Sequence, residues 1–195
     1  MIALEQLENF MRLVHDVERT KRVAQRPDEP ENTSTGEHTF ELVMMCWYLV
    51  SANKLDLDHE KVLKYTLAHD LVEGWAGDTF IGDDAAHQTK KARESKALLR
   101  IKETFSEFPE LIKTIEAYQR REDPESKFVY AADKLIDPLH GSMEKNPTYW
   151  KKNGMTFEEA CAYKDPRIAG EENIEPYWKE VRTRLEDNKD FFFNA

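Results

Sequence analysis

Apolar residues recur at α-helical spacing from one end of this chain to the other, and no segment alternates apolar and polar residues as a half-buried strand does. That restricts the fold to helix packed on helix, an all-α bundle. Leu4, Leu7, Met11, Val14 and Val17 keep a helical period, so residues 3–18 are expected to form an amphipathic helix. Residues 24–36 are polar, carry Pro27 and Pro30, and read as a loop. Ser34 and Glu37 stand at capping-box spacing and open a second helix, on which His38, Leu42, Met45 and Leu49 share a face. His38 therefore points where core residues point. Asp83 or Asp84 can cap a helix over about residues 85–107, and Pro109 opens another. Asp123 and Pro124 form an N-cap and first helical position ahead of Phe128, Val129, Ala132, Leu135 and Ile136. Thr156 and Glu159 repeat the capping box, and Tyr177, Trp178, Val181 and Leu185 mark a last helix.

At 195 residues and 40% hydrophobic content the chain can bury one substantial core, and a single domain over 1–195 is expected. A net charge of -10 argues against a nucleic-acid partner, which needs clustered Lys and Arg to displace counterions. An anionic ligand must then meet a local cationic pocket or a metal. The longest apolar run, residues 42–50, is too short to span a bilayer, and the N-terminus lacks the basic and apolar regions of a signal peptide. The expected setting is cytoplasmic, away from membranes. Cys46 and Cys161 belong to no CxxC pair and read as reduced structural residues.

The chemistry is concentrated between Tyr65 and Asp78. Asp58 and Glu60 set negative charge at a helix start, Val62, Leu63 and Leu67 supply its apolar side, and the pattern predicts roughly four turns ended by Gly74 and Gly77. On such a helix His69 and Glu73 share a face and Asp70 sits one residue round. Burying such groups without partners costs several kcal/mol. Asp133 lies beside the apolar face formed by Val129 and Ile136. Three separate helices thus offer His38, His69 with Asp70, and Asp133. Two imidazoles plus two carboxylates suit one divalent transition metal whose remaining positions hold water, unlike the closed tetrahedral sites of structural zinc. The His-Asp pair alone carries little, since six histidines and fourteen aspartates predict roughly 0.4 such pairs by chance, and His15-Asp16 is a second, read as surface. The flanking His-bearing and Asp-bearing helices give His69-Asp70 its weight.

In that order and spacing the chain resembles the HD-domain phosphohydrolase superfamily, with His38, His69-Asp70 and Asp133 in the positions of its H...HD...D signature. Glu37-His38, His69-Asp70-Leu-Val-Glu73, Gly77-Asp78 and Ala132-Asp133 are further similar to its 5'-deoxynucleotidase branch, over roughly residues 20–140. The resemblance implies a helical bundle around one divalent metal (Mn, Co, Ni, Fe or Zn), in a homodimer, hydrolysing nucleoside 5'-monophosphates. It implies that Glu73 assists proton transfer and that Asp78 orients water or substrate. It gives Arg22, or Arg26, the substrate phosphate. The family places a tryptophan after that arginine, against the sugar; this chain has Val23. That departure points to a relaxed deoxyribose preference, unless Trp75 supplies the wall instead.

Each residue also has a plainer reading. His38 could be a core histidine, Asp133 a buried carboxylate paired with Lys134, Glu73 a helix-end cap and Asp78 a turn residue. Lys90, Lys91 and Arg93 read as the wet face of their helix, and Phe191–Phe193 as packing on the chain's own core or on a partner subunit. A triphosphohydrolase or other small phosphoester hydrolase is a close alternative activity. A non-catalytic metal or nucleotide sensor is the alternative of another class, and the presence of all four ligands and Glu73 favours the enzyme.

Overall fold

A computed structural model of the chain describes residues 1–25, 31–143 and 149–194. The described residues form helices α1 (Leu4–Arg19), α2 (Thr35–Ala52), α3 (His59–Ala68), α4 (Glu73–Ala76), α5 (Asp84–Thr104), α6 (Pro109–Arg120), α7 (Pro124–Met143), α8 (Tyr149–Lys152), α9 (Phe157–Ile168) and α10 (Glu175–Glu186). Two short strands, β1 (Lys21–Gln25) and β2 (Asn32–Ser34), pair in a two-stranded sheet, and a 3-10 turn covers Lys189–Phe191. The fold is all-α apart from that ribbon, which replaces part of the expected loop. None of the described helices is long and apolar enough to cross a membrane. Two compact units are present, Met1–Arg22 with Thr33–Ser126, and Val23–Asn32 with Lys127–Ala195.

In the first unit, short-range capping chemistry fixes where helices begin. The Ser34 hydroxyl accepts from Glu37 N at 3.2 Å while Glu37 Oε2 accepts from Ser34 N at 2.6 Å, so two otherwise orphaned amides at the start of α2 are satisfied. Asp58 caps α3 and Asp83 caps α5, each accepting a backbone N–H three residues on. Asp123 does the same for Ser126 at 2.8 Å. Leu13 and Val17 of α1, Ala68 of α3, Leu71 and Val72 of the turn after it, and Ala97, Ile101 and Phe105 around α5 build the core of this unit. Fully burying Leu13 or Ile101 contributes about 1.5–3 kcal/mol each. On α1 the buried face runs through Phe10, Leu13 and Val17, and Leu4, Leu7 and Met11 of the expected face are exposed. Gly74 ends no helix. It sits inside α4 because a Cβ there would lie 2.9 Å from Val17 Cγ2, and a bare Cα lets α4 close onto α1.

The second unit packs α9 against α10 around an aromatic cluster. Phe192 is buried, stacked on Trp150 at 5.3 Å and edge-on to Phe157, while Phe193 N donates to Met155 O at 2.9 Å. The C-terminal aromatic segment therefore does pack on the chain's own core, although Phe193 itself stays exposed. The Trp178 indole donates to Asp165 Oδ1 at 2.8 Å, tying α10 to α9. Cys46 and Cys161 are both buried and reduced.

Candidate metal centre

The chain leaves α-helical geometry where the chemistry begins. α3 ends at Ala68, and Leu71 N bonds Ala68 O, Glu73 N bonds Asp70 O and Gly74 N bonds Leu71 O, all three residues back. In such tight turns residues i and i+3 tend to eclipse, which sets Asp70 and Glu73 on one side, and the Asp70 charge acts on Glu73. The continuous four-turn helix expected here is instead α3, a turn and the short α4.

His38, from the first turns of α2, is 1% exposed, and His69 is 5% exposed. Their rings stand 5.3 Å apart and offer nitrogens within 4.8 Å of each other. Asp70 Oδ2 lies 2.9 Å from His69 Nε2 and 3.9 Å from His38 Nε2. On its other side the His69 ring meets Thr66 O through Nδ1 at 2.8 Å, and the Tyr118 ring packs edge-on against it. A carbonyl only accepts, so Nδ1 carries the proton and Nε2 presents its lone pair. A lone pair and a carboxylate oxygen 2.9 Å apart repel unless positive charge lies with them, as a second ring proton or as a cation. The donor set therefore fits a divalent metal, and the Thr66 carbonyl fixes the ring as the partner of a metal-ligating histidine does.

Two further carboxylates, Glu73 and Asp78, act on this group electrostatically. Glu73 is buried, its Oε2 accepting from the Thr35 hydroxyl at 3.3 Å. Burial, and then the charges of Asp70 and Asp78, push the Glu73 carboxyl well above the ordinary range. Asp78 is also raised, chiefly by burial, and the Arg22 guanidinium offsets part of that. Lys90 acts on both acids in the same sense as Arg22. Lys91 stays on the exposed face of the helix as expected, and Lys90, half-buried, pairs with Glu94 at 3.5 Å. Arg93 departs from that expectation, donating to Ala76 O, to Gly77 O at 3.4 Å and to Thr79 Oγ1 at 2.7 Å. Thr35, Thr66 and Arg93 carry no motif in the sequence; their roles come from the fold alone.

Of the remaining expected residues, Val23 is half-buried on β1 and Arg26 lies outside the described residues. Trp75 is taken up by contacts within the first unit. Its ring is stacked against Phe105, covered by the Arg100 guanidinium at 3.8 Å and tied through Nε1 to Asp16 Oδ2 at 3.1 Å. In the second unit, Asp133 is buried on α7 and its Oδ2 lies 2.5 Å from Lys134 Nζ, a pairing that helix geometry alone disfavours. The Lys134 ammonium, 5.3 Å from the Tyr130 ring centre, bends back to reach it.

Residues 11–175 match the HD domain. The chain belongs to the HD-domain family. This HD-domain chain is 27% identical over 137 residues to 5'-deoxynucleotidase HDDC2 of Danio rerio, a match covering 68% of the chain and 66% of the relative, just under two thirds. With the Homo sapiens protein of the same name it shares 28% over 141 residues, covering 70% of the chain and 67% of the relative. A crystal structure from Magnetospirillum magnetotacticum MS-1, named as a predicted metal-dependent phosphohydrolase, superposes with a TM-score of 0.81 at 25% identity over 98% of both chains. The PH0347 protein of Pyrococcus horikoshii OT3 shares the fold, with a TM-score of 0.63 at 24% identity over 93% of this chain and 99% of that one.

Proposed function

We propose that this chain is a metal-dependent phosphohydrolase that converts nucleoside 5'-monophosphates to nucleoside and phosphate. The observation that carries the reading is the donor arrangement at His69, where Nδ1–H is committed to the Thr66 carbonyl and Nε2 faces Asp70 Oδ2 at 2.9 Å, beside a second buried imidazole. The nucleotide part of the reading is supported by the deoxynucleotidase relatives. His38, His69 and Asp70 hold the metal, and Asp133 is the fourth ligand by its place in the H...HD...D order. When bound, the metal supplies positive charge that polarises a phosphoryl oxygen and lowers the pKa of water. Mn, Co or Ni suits the imidazole ligands better than Mg.

The chain's own residues do the rest. Glu73, whose carboxyl burial and the charges of Asp70 and Asp78 hold well above the ordinary carboxylate range, moves a proton at its carboxylate oxygens. Asp78 orients water or substrate, and Arg22, already drawn toward these acids, binds the phosphate. Val23 follows Arg22 and borders the sugar. A homodimer fits the outer face of α2, where Phe40, Met44, Trp47 and Tyr48 are exposed at i, i+4, i+7 and i+8.

Phosphate release from purified protein, screened over deoxy- and ribonucleoside 5'-monophosphates with Mn, Co, Ni, Zn and Mg, tests the reading. Release from monophosphates with a transition metal is expected. Tripolyphosphate release from nucleoside triphosphates in place of it would replace the substrate class.

A further inference from the structure

The loop that carries Asp78 has almost no regular structure of its own: residues 77–80 lie between α4 and the turn before α5. Gly77 adopts φ 76°, a left-handed conformation that favours glycine and that nothing in its own side chain can hold. What spans the loop is one side chain from α5. Arg93 Nη1 donates to Ala76 O and to Gly77 O, and Nη2 donates to Thr79 Oγ1 at 2.7 Å and reaches Ala86 O at 3.5 Å. Its Nε is 3.4 Å from Thr89 Oγ1, which keeps the stem aligned along the helix. These bonds fall on both sides of Asp78 and none falls on it. A planar guanidinium with donors in a fixed fork suits this task; a lysine, with one compact ammonium, cannot reach the carbonyls and the hydroxyl together.

We propose that Arg93 is a positioning residue, which fixes the turn from Ala76 to Thr79 and so holds the Asp78 carboxylate in its working place. This rests on the role given to Asp78 under the proposed function. Arg93 is committed to loop acceptors, and its effect on the reaction passes through Asp78.

The test uses the full metal-loaded chain with four proteins: wild type, Arg93→Ala, Asp78→Asn and the double variant. Arg93→Ala is expected to keep its metal, to lose about 10- to 100-fold in kcat, as a small displacement of a working group does, and to change KM little. In the Asp78→Asn background the same substitution should cost almost nothing further, because its only route to the reaction is gone. Guanidinium ion added to Arg93→Ala should restore part of the rate, and Arg93→Lys should remain slow. An equal loss of kcat in both backgrounds would overturn the proposal. Amide exchange gives a readout that needs no substrate: protection should fall at residues 77–80 and persist along α5, and unchanged protection at the loop would also overturn it. If the wild type hydrolyses no phosphomonoester, the proposed function fails while the exchange measurement still decides whether Arg93 holds the loop. Should Arg93→Ala not fold, Arg93→Lys serves in its place in the kinetic and exchange arms.

Discussion

Replacing Glu73 with glutamine separates its charge from its shape. The glutamine carbonyl can accept the Thr35 hydroxyl as Glu73 Oε2 does at 3.3 Å, so the packing survives and only the titrating proton is removed. If Glu73 transfers that proton, turnover should fall by about 10²- to 10⁴-fold, or roughly 2.7–5.4 kcal/mol of barrier. Stability should move the other way. Burial first, then Asp70 and Asp78, raise the folded-state pKa above 4.5. For a raised pKa, the stability of the protonated form is complete below the unfolded value and is lost as pH rises through the folded one, at about 1.4 kcal/mol per pH unit between them. Wild-type protein in chelator should therefore lose stability from pH 5 upward relative to Glu73→Gln. Phosphate-release rates and urea midpoints measured across pH answer both parts. Turnover within a few-fold of wild type would refute the proton-transfer role. A glutamine variant that is less stable than wild type throughout would refute the electrostatic argument.

Further expectations follow from individual contacts. Asp123 accepts from Ser126 N, the Tyr65 hydroxyl and Lys61; burial alone would raise its pKa, and these partners bring it down to about 2. Its contribution is present above the unfolded value and lost as pH falls through the folded one, so Asp123→Ala should cost about 2 kcal/mol at neutral pH by urea denaturation and little below pH 2. With valine where the deoxynucleotidase branch has tryptophan, kcat/KM for dAMP should exceed that for AMP by no more than about 10- to 200-fold, and Val23→Trp should widen the gap; undetectable AMP hydrolysis by the wild type would refute the relaxed pocket. Because Trp75 is held by Phe105, Arg100 and Asp16 but only partly buried, Trp75→Ala should lower the thermal midpoint, with a loss of about 1–3 kcal/mol of stability, and leave the dAMP-to-AMP ratio unchanged.

Helix starts were legible in the sequence because a cap is a local bargain between residues three apart: Ser34 with Glu37, Asp83, Asp123 and Thr156 with Glu159 all cap where expected, and Asp58 caps the helix start that its charge marked. The burial of His38, His69, Glu73 and Asp133 was legible too, since polar groups on an apolar face must be inside or the face must be wet. What spacing could not give was the conformation after Ala68. Periodicity assumes that the helix continues, and the shift to three-residue turns, which pairs Asp70 with Glu73, is set by how Leu71 and Val72 enter the core. The role of Arg93 was hidden for a related reason. A cation on a Lys- and Arg-rich helix resembles solvent-facing charge until the loop before that helix folds back to meet it. The β1–β2 ribbon left no alternating pattern because its strands are too short to show one.

The most direct test of the central claim is metal content by elemental analysis of wild type, His38→Ala, His69→Ala, Asp70→Ala and Asp133→Ala, each purified in the same manganese-containing buffer and then gel-filtered. One metal per chain is expected in the wild type and a small fraction of that in each variant. Full stoichiometric metal in His69→Ala and Asp133→Ala would contradict the ligand assignment and the proposed function with it.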